Sequence, residues 1–211
     1  MKTFLLLYIL TALALAPTAV PAQAGADHDS IVYVLAPPPA SRLEVRTGKA
    51  GLLGFAGHEH LIRARSFTGR VVWYPDQPAL SHVAITIATQ SLAVLTPPDT
   101  AEIRKVTAAM QDDVLDVGHY AEITFISRTV ERSGDTLHLL GALTMKGKTQ
   151  DVAPVVRISL VGDTLRASTV FKVKQTDFGI RPYRGGPGGT VRVADAVTFD
   201  IDAVALRRPP P

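Results

Sequence analysis

The stretch LRASTVFKV, residues 165–173, alternates between two kinds of side chain along its whole length. The odd positions carry the apolar or small residues Leu165, Ala167, Thr169, Phe171 and Val173. Successive side chains of a β-strand point to opposite faces, so a period of two is typical of a strand with one buried face. We therefore predict a long strand here whose odd positions face the protein interior.

The same period of two recurs in seven other runs along the chain, at residues 43–45, 67–73, 83–87, 123–125, 137–143, 156–160 and 191–201. Turn signals separate the runs, among them Tyr-Pro-Asp at 74–76, Ser-Gly-Asp at 133–135 and Gly-Asp at 162–163. Short links of this kind join antiparallel neighbours. The pattern predicts an all-β fold in which about eight strands form an antiparallel meander.

Eight antiparallel strands must protect their edges, and closure into a barrel removes the edges altogether. At about eight strands the interior is filled by side chains or holds one small ligand. The predicted inward positions include the small residues Gly69, Gly141 and Ala167, which favours a cavity. Periodicity alone does not separate a barrel from a two-sheet sandwich, so both remain open at this point.

One interval breaks the strand pattern. Asp99 followed by Glu102 has the spacing of a helix N-cap with a capping box. Apolar residues then recur at helical spacing, at Ile103, Val106, Met110, Val114 and Val117. We predict one amphipathic helix inserted in the β fold.

The first 24 residues have the features of an export signal. They begin Met-Lys, continue with an apolar run at 4–16 and reach Ala-Gln-Ala at 22–24. The apolar run is shorter than the roughly 20 residues that cross a bilayer. We predict a signal peptide at 1–24, a mature chain of 211 − 24 = 187 residues, no transmembrane segment within it, and a periplasmic location.

Composition excludes several function classes. The chain has no cysteine, which excludes disulfides, thiol nucleophiles and iron–sulfur clusters. Its formal net charge is +3, but the basic residues form no dense run and are not interleaved with aromatic ones. Nucleic acid is therefore not a predicted partner.

The stretch GFAGHEHLI, residues 54–62, places His58 and His60 two positions apart. In a strand both side chains would point the same way, about 6.6 Å apart. Zinc needs three or four protein ligands, and no second paired motif supplies them. We predict no metal site. The histidines remain open to three interpretations, namely a polar patch within the protein, contacts to the head of a ligand, or metal ligands.

Sequence motifs for catalysis are missing. The stretch GALTMKGKT, 141–149, lacks the glycine spacing of a P-loop, and neither Gly-x-Ser-x-Gly nor His-Glu-x-x-His occurs. We predict that the protein is not an enzyme. The alternative is a metal-dependent hydrolase that uses His58 and His60, with Glu59 or Asp112 as its base.

Four stretches in a fixed order resemble the YceI-like family of exported lipid-binding (polyisoprenoid-binding) proteins. They are RLEVRTGKAGLLGFAGHEHLIRARSFTGRV at 42–71, MQDDVLDVGHYAEITFIS at 110–127, LTMKGKTQDV at 143–152 and FKVKQTDFGI at 171–180. The Gly-His-Glu-His segment resembles that of a subgroup. With this resemblance we assign a barrel domain to 25–206 and a short Pro-rich tail to 207–211.

The resemblance implies a lipocalin-like antiparallel barrel whose apolar tunnel binds an isoprenoid chain, such as the tail of a quinone, with no other cofactor. The head of the ligand is expected near His58, His60 and Arg63. A loop at 178–191 is expected to cover one end. The candidate ligand-binding residues are Phe55, His58, His60, Phe67, Val71, Trp73, Ile85, Ile87, Met110, Phe125, Leu139, Leu143, Phe171, Phe178, Tyr183 and Phe199.

The predicted function is that of a non-catalytic carrier or store for an apolar lipid. Two alternatives come from other classes. One is the metal-dependent enzyme, and the other is an interaction module whose interior is fully packed. The oligomeric state stays open, with a dimer among the alternatives.

Overall fold

The structure is a computed structural model that describes residues 29–50, 59–96, 100–185 and 191–209. These residues form one 13-stranded antiparallel sheet and one short α-helix. The strands are β1 Ile31–Leu35, β2 Arg42–Ala50, β3 Leu61–Ala64, β4 Phe67–Trp73, β5 His82–Ala88, β6 Leu92–Val94, β7 Glu122–Ser133, β8 Thr136–Met145, β9 Lys148–Val152, β10 Val155–Val161, β11 Thr164–Lys174, β12 Arg184–Gly185 and β13 Val191–Arg207.

Eight of these strands close into a barrel. Their order is β1, β4, β5, β7, β8, β10, β11 and β13, and β13 pairs back with β1. The register of the closing pair sets Tyr33 opposite Arg207 and Leu35 opposite Ala205. The prediction of an all-β, eight-stranded antiparallel barrel is confirmed, and the sandwich alternative is excluded.

The remaining strands extend the barrel wall. β2, β3 and β6 continue the sheet from β13, whereas β9 pairs with β8 and β12 pairs with β13. β13 is the longest strand, with 17 residues, and it pairs with β11 along one edge and with both β1 and β2 along the other. The strand runs predicted from alternation correspond to β2 and to seven of the barrel strands.

Two ends of the barrel can be distinguished from the strand directions. At one end β4, β7 and β13 finish and β5, β8 and β11 begin; we call it the Trp73 end, after the last residue of β4. At the opposite end β7 and β13 begin and β8 finishes; we call it the Met110 end.

The predicted helix lies at the Met110 end. Helix α1 spans Thr100–Ala109 and continues into a wider π-helical turn, Met110–Leu115. Met110 is buried in the main core, and four other apolar residues of this segment pack against that core: Ile103, Val106, Val114 and Leu115. Apolar burial of this stripe explains why the segment is helical. The prediction of an inserted amphipathic helix is confirmed, although the predicted N-cap, Asp99, lies outside the described residues.

A β-bulge changes the orientation of side chains within β7. Up to Ser127 the odd positions, such as Phe125, face inward, and after the register shift between Ser127 and Thr129 the even positions do so. Ser127 Oγ accepts a hydrogen bond of 2.8 Å from the Val83 backbone amide at this point. The bulge therefore places Val130 and Arg132 on the inner face.

Candidate functional site: an apolar cavity inside the barrel

The barrel encloses a cavity of about 150 Å³. Its walls are the inward faces of the barrel strands. Among the described residues that line it, Arg70, Thr169 and the indole of Trp73 provide the only polar or charged side-chain groups. An apolar cavity of this kind does not hold ordered water well, because water needs two to four polar partners. Such a site is suited to an apolar ligand.

Nine of the predicted ligand-binding residues line this cavity, which are Val71, Trp73, Ile85, Ile87, Phe125, Leu139, Leu143, Phe171 and Phe199. The pairing register brings them together, because residues directly opposite each other in neighbouring strands share a face. For example, Ile85 lies opposite Phe125, and Phe125 lies opposite Leu143. Whether these residues contact a ligand stays a prediction.

The two inward glycines do not supply the empty space that the sequence suggested. A Cβ atom at Gly141 would lie 2.5 Å from the Phe125 ring, and one at Gly69 would lie 2.9 Å from the Leu35 side chain. The space above each glycine is thus occupied by a neighbouring side chain. Three alanines are the small residues on the cavity wall that leave room, among them the cross-strand pair Ala167 and Ala203.

A second cavity, of about 100 Å³, lies at the Met110 end. Met110, Val114 and Leu115 from the helical segment form part of its wall. It shares five apolar residues with the first cavity, namely Leu43, Ile87, Ile123, Phe199 and Ile201. The two cavities therefore lie on either side of one apolar partition.

Other predicted residues lie away from the main cavity. Phe67 and Phe178 are buried in the core and do not line it, and Phe178 is only 1% exposed. Tyr183 is exposed, with its ring against Gly185. Phe55, His58 and residues 186–190 of the expected covering loop lie outside the described residues. Phe178 belongs to a short 3-10 turn, Gln175–Phe178.

His60 and Arg63, expected near the head of the ligand, already have partners. His60 Nδ1 lies 2.9 Å from the Thr96 carbonyl oxygen, and the His60 amide donates to Thr47 Oγ1 at 3.0 Å. Arg63 donates through Nε and Nη2 to Glu44 Oε1, at 2.6 and 2.5 Å. Glu44 is 3% exposed, so this ion pair satisfies a buried carboxylate.

The Trp73 end carries a polar group that the sequence analysis missed. The Arg132 guanidinium lies 5.5 Å from the centre of the Trp73 ring, in cation–π geometry, and its Nε donates to the Gly134 carbonyl at 2.9 Å. Arg132 makes no ion pair within the described part of the chain. The sequence carries no signal for it, because Arg132 faces inward, two positions after Val130, only as a result of the β7 bulge.

Tyr33 and Arg207 lie opposite each other at the same end. Burial raises the pKa of Tyr33, the positive charge of Arg207 lowers it, and the negative charge of Asp163 adds to the rise. Arg207 also forms an ion pair of 3.5 Å with Asp163. The Trp73 end thus combines an apolar wall with two arginines, whereas the Met110 end is covered by the helical segment.

In the part of the chain that the structure describes, no three His, Asp or Glu side chains come together to hold a metal ion. None of the helices found there is both long and apolar enough to span a membrane.

A closed antiparallel barrel around an apolar cavity defines the protein as a member of the lipocalin-like class of β-barrels. The chain belongs to the YceI-like domain family, whose model matches residues 38–205. The prediction of the family is thereby confirmed, and the Gly-His-Glu-His subgroup stays a prediction.

Relatives of known sequence agree with this assignment. The chain is 30% identical over 153 residues to a UPF0312 protein of Pseudomonas putida, which covers 68% of this chain and 72% of that protein. It is 29% identical over 127 residues to Protein YceI of Escherichia coli O157:H7, covering 57% of this chain. That match spans 63% of the Escherichia coli protein, which is less than two thirds of its length.

Solved structures show the same fold. BcnA of Burkholderia cenocepacia superposes with a TM-score of 0.61 at 21% identity, covering 78% of this chain and 95% of BcnA. A polyisoprenoid binding domain from Saccharophagus degradans also gives a TM-score of 0.61, at 13% identity, covering 83% of this chain and 98% of that domain.

Proposed function

We propose that the protein is a non-catalytic carrier or store for an apolar lipid of the isoprenoid type, such as a quinone. The observation that carries the proposal is the cavity wall, which is almost entirely aliphatic and aromatic. A structural neighbour is described as a polyisoprenoid binding domain, which supports the same ligand class.

The energetics of the site suit a ligand with few polar atoms. Burial of apolar surface contributes about 25 cal/mol per Å², so a prenyl segment that loses roughly 300 Å² of exposed surface gains about 7.5 kcal/mol. Part of this gain is offset by the loss of translational and rotational freedom. A chain long enough to occupy both cavities would bury more surface than a short one, provided that it displaces the apolar partition between them.

The polar head, in this proposal, lies at the Trp73 end. Arg132 offers the two terminal guanidinium nitrogens there, and Trp73 offers an aromatic face next to the cavity. The hydrogen bond of His60 and the ion pair of Arg63 described above favour this end over the Met110 end. The contact of His58 and His60 with the head remains a prediction from the sequence.

We further propose that the protein acts in the periplasm after removal of residues 1–24. Support comes from the sequence of this segment, which has the basic start, apolar run and cleavage site of a secretory signal. Residues 1–28 lie outside the described part of the chain. Mass measurement of the protein recovered from a periplasmic extract tests both the cleavage site and the location.

The decisive experiment is to purify the protein from its native compartment without detergent and to analyse an organic extract by mass spectrometry. A prenyl lipid is expected at a fixed ratio to protein, and added quinone should raise the melting temperature of the emptied protein. Absence of any lipid, with an unchanged melting temperature, would overturn the proposal. Stoichiometric zinc together with a chelator-sensitive hydrolytic activity would support the metal-dependent enzyme instead.

A further inference from the structure

The outer rim of the Trp73 end carries a row of exposed apolar side chains. Val34, Leu206 and Val161 are 42%, 51% and 72% exposed. The pairing register sets Val34 opposite Leu206, Leu206 opposite Thr164, and Thr164 opposite Val161. These residues therefore form one row across β1, β13, β11 and β10, in which the partly exposed Thr164 is the single polar member. Isolated exposed apolar residues are ordinary on protein surfaces, but an aligned row of them at one rim is a feature of interaction sites.

This row borders the ligand cavity directly. Val34 precedes Leu35 in the chain, Leu206 follows Ala205, and Thr164 precedes Leu165. Leu35, Ala205 and Leu165 line the cavity from the inner face of the same strands. A surface that covers the row therefore lies against the outer side of the cavity wall at the Trp73 end.

Positive charge accompanies the apolar row. Arg166 lies two residues from Thr164 on the outer face of β11, and Arg208 lies two residues from Leu206. Both are exposed, and neither makes an ion pair with any residue that the structure describes. Strands β10 and β11 contain no acidic residue. Asp163, the acidic residue of the turn between β10 and β11, is paired with Arg207.

We propose that this rim, formed by Val34, Val161, Leu206, Arg166 and Arg208, docks on the surface of an anionic phospholipid membrane. Exposed aliphatic side chains insert at the boundary between headgroups and acyl chains, and arginines bind the anionic headgroups. The combination of an apolar row with unpaired cations fits such a surface better than it fits an acidic protein, which would leave the apolar row without a partner.

Docking at this rim would place the end of the cavity against the bilayer. An apolar lipid could then pass between membrane and barrel without crossing water, where its exposure is unfavourable. This consequence rests on the proposed carrier function, whereas the docking itself does not. The two can therefore be tested separately.

The test measures binding of the full chain, emptied of lipid, to sedimenting vesicles of phosphatidylglycerol and phosphatidylcholine in equal parts, or of phosphatidylcholine alone. We expect at least about tenfold tighter binding to the anionic vesicles, weakened as salt rises from about 0.1 M to about 0.5 M. The variant R166Q/R208Q should lose at least about tenfold in affinity for anionic vesicles, while the matched control R104Q/K105Q, on helix α1, stays within about twofold.

A second variant tests the apolar row. V34S/V161S/L206S should also bind the anionic vesicles at least about tenfold less tightly, and I126S, which changes an exposed residue elsewhere on the outer barrel face, should not. Circular dichroism and melting temperature confirm that each variant is folded. None of the rim residues lines the cavity, so uptake of a detergent-dispersed prenyl lipid is expected to be unchanged in every rim variant.

Equal binding of the natural chain to both vesicle types, or full binding by either rim variant, would overturn the proposal. Light scattering that shows a dimer converted to monomer by V34S/V161S/L206S would assign the rim to a second copy of the chain and would also overturn it. If the natural chain binds vesicles but takes up no prenyl lipid, the proposed carrier function is wrong and the proposed docking surface stands.

Discussion

Phe171 and Phe199 lie directly opposite each other on β11 and β13, with ring centroids 5.0 Å apart and ring planes 12° from parallel. Both rings line the main cavity, and Phe199 also forms part of the partition from the second cavity. The pair therefore contributes both to the stability of the barrel wall and to the shape of the cavity. Stacked aromatic pairs add about 0.5–1.5 kcal/mol beyond the burial of their surface.

Replacement of Phe199 by Ala should lower the free energy of unfolding by about 3–5 kcal/mol, because a buried aromatic side chain is removed and the space is only partly refilled. Chemical denaturation measures the change. Phe171→Ala should cost less, since Phe171 is only partly buried. Equal losses in the two variants, or a loss below about 1 kcal/mol for Phe199→Ala, would contradict this account of the packing.

Replacement of Ala203 by Phe should close the cavity. Ala203 lies opposite Ala167 on the inner face, so a new ring there would occupy the space that the ligand needs. Affinity for a prenyl lipid should fall by about tenfold or more, since the loss of roughly 60 Å² of buried ligand surface costs about 1.5 kcal/mol and a tenfold change in affinity corresponds to about 1.4 kcal/mol. Fluorescence titration measures the change. Thr68→Phe, on the outer face of β4, is the control and should bind normally.

Replacement of Arg132 by Gln tests the position of the ligand head. If the head lies against the Arg132 guanidinium, affinity for a lipid with an anionic head should fall by about tenfold, whereas a neutral lipid of the same chain length should bind within about twofold of normal. Titration of both lipids against the variant measures the difference. His60→Ala tests the alternative at the Met110 end, and a loss confined to this second variant would place the head there.

The stability of the protein should depend on the ion pair between the buried Glu44 carboxylate and Arg63. Arg63→Met removes the closer of two cationic partners of a side chain that is 3% exposed, and leaves only Arg42, whose Nε lies 4.0 Å from Glu44 Oε2. The unfolding free energy should therefore fall by about 3 kcal/mol. Arg128→Met breaks the exposed ion pair with Asp151 and serves as the control, with an expected loss below about 1 kcal/mol. Denaturant titration compares the two. Similar small losses would show that the carboxylate is solvated.

The stability of the loop after the helical segment should depend on pH through the protonation of His119. A hydrogen bond from the imidazolium to Asp116, at 2.7 Å, raises the pKa of His119 above its usual 6.5, and the negative charge of Asp116 acts in the same direction. The contact therefore stabilises the loop fully below pH 6.5 and loses its effect as the pH rises through the raised pKa. Proton NMR should show this raised pKa, and Asp116→Asn should return it towards 6.5.

Alternation in the sequence predicts the long strands well, because one face of each is buried and the other is exposed. It does not predict β1, whose five residues, Ile31–Leu35, are all apolar and have no period of two. It also misses β3, β6 and β12, which have four residues or fewer, and β9, whose residues are polar except for Val152. The closing pair of the barrel, between β1 and β13, is therefore visible only in the structure.

The residues of the cavity wall can be predicted where the strands are regular, and not where they are irregular. Inward residues of regular strands, such as Ile85 and Leu139, were identified because parity alone assigns their face. Arg132 was not, because the bulge in β7 reverses parity before it. The space around Gly141 was misjudged, since a sequence does not show that the Phe125 ring lies over it. Bulges and the packing of large side chains against small ones depend on the three-dimensional register.

The pairing of β1 with β13 joins residues more than 170 positions apart, Tyr33 and Arg207. During synthesis, the ring of strands cannot be completed until the chain has been made through residue 207. Contacts of such long sequence separation also slow folding. The nascent polypeptide therefore has no enclosed interior, and only the finished molecule can surround a ligand.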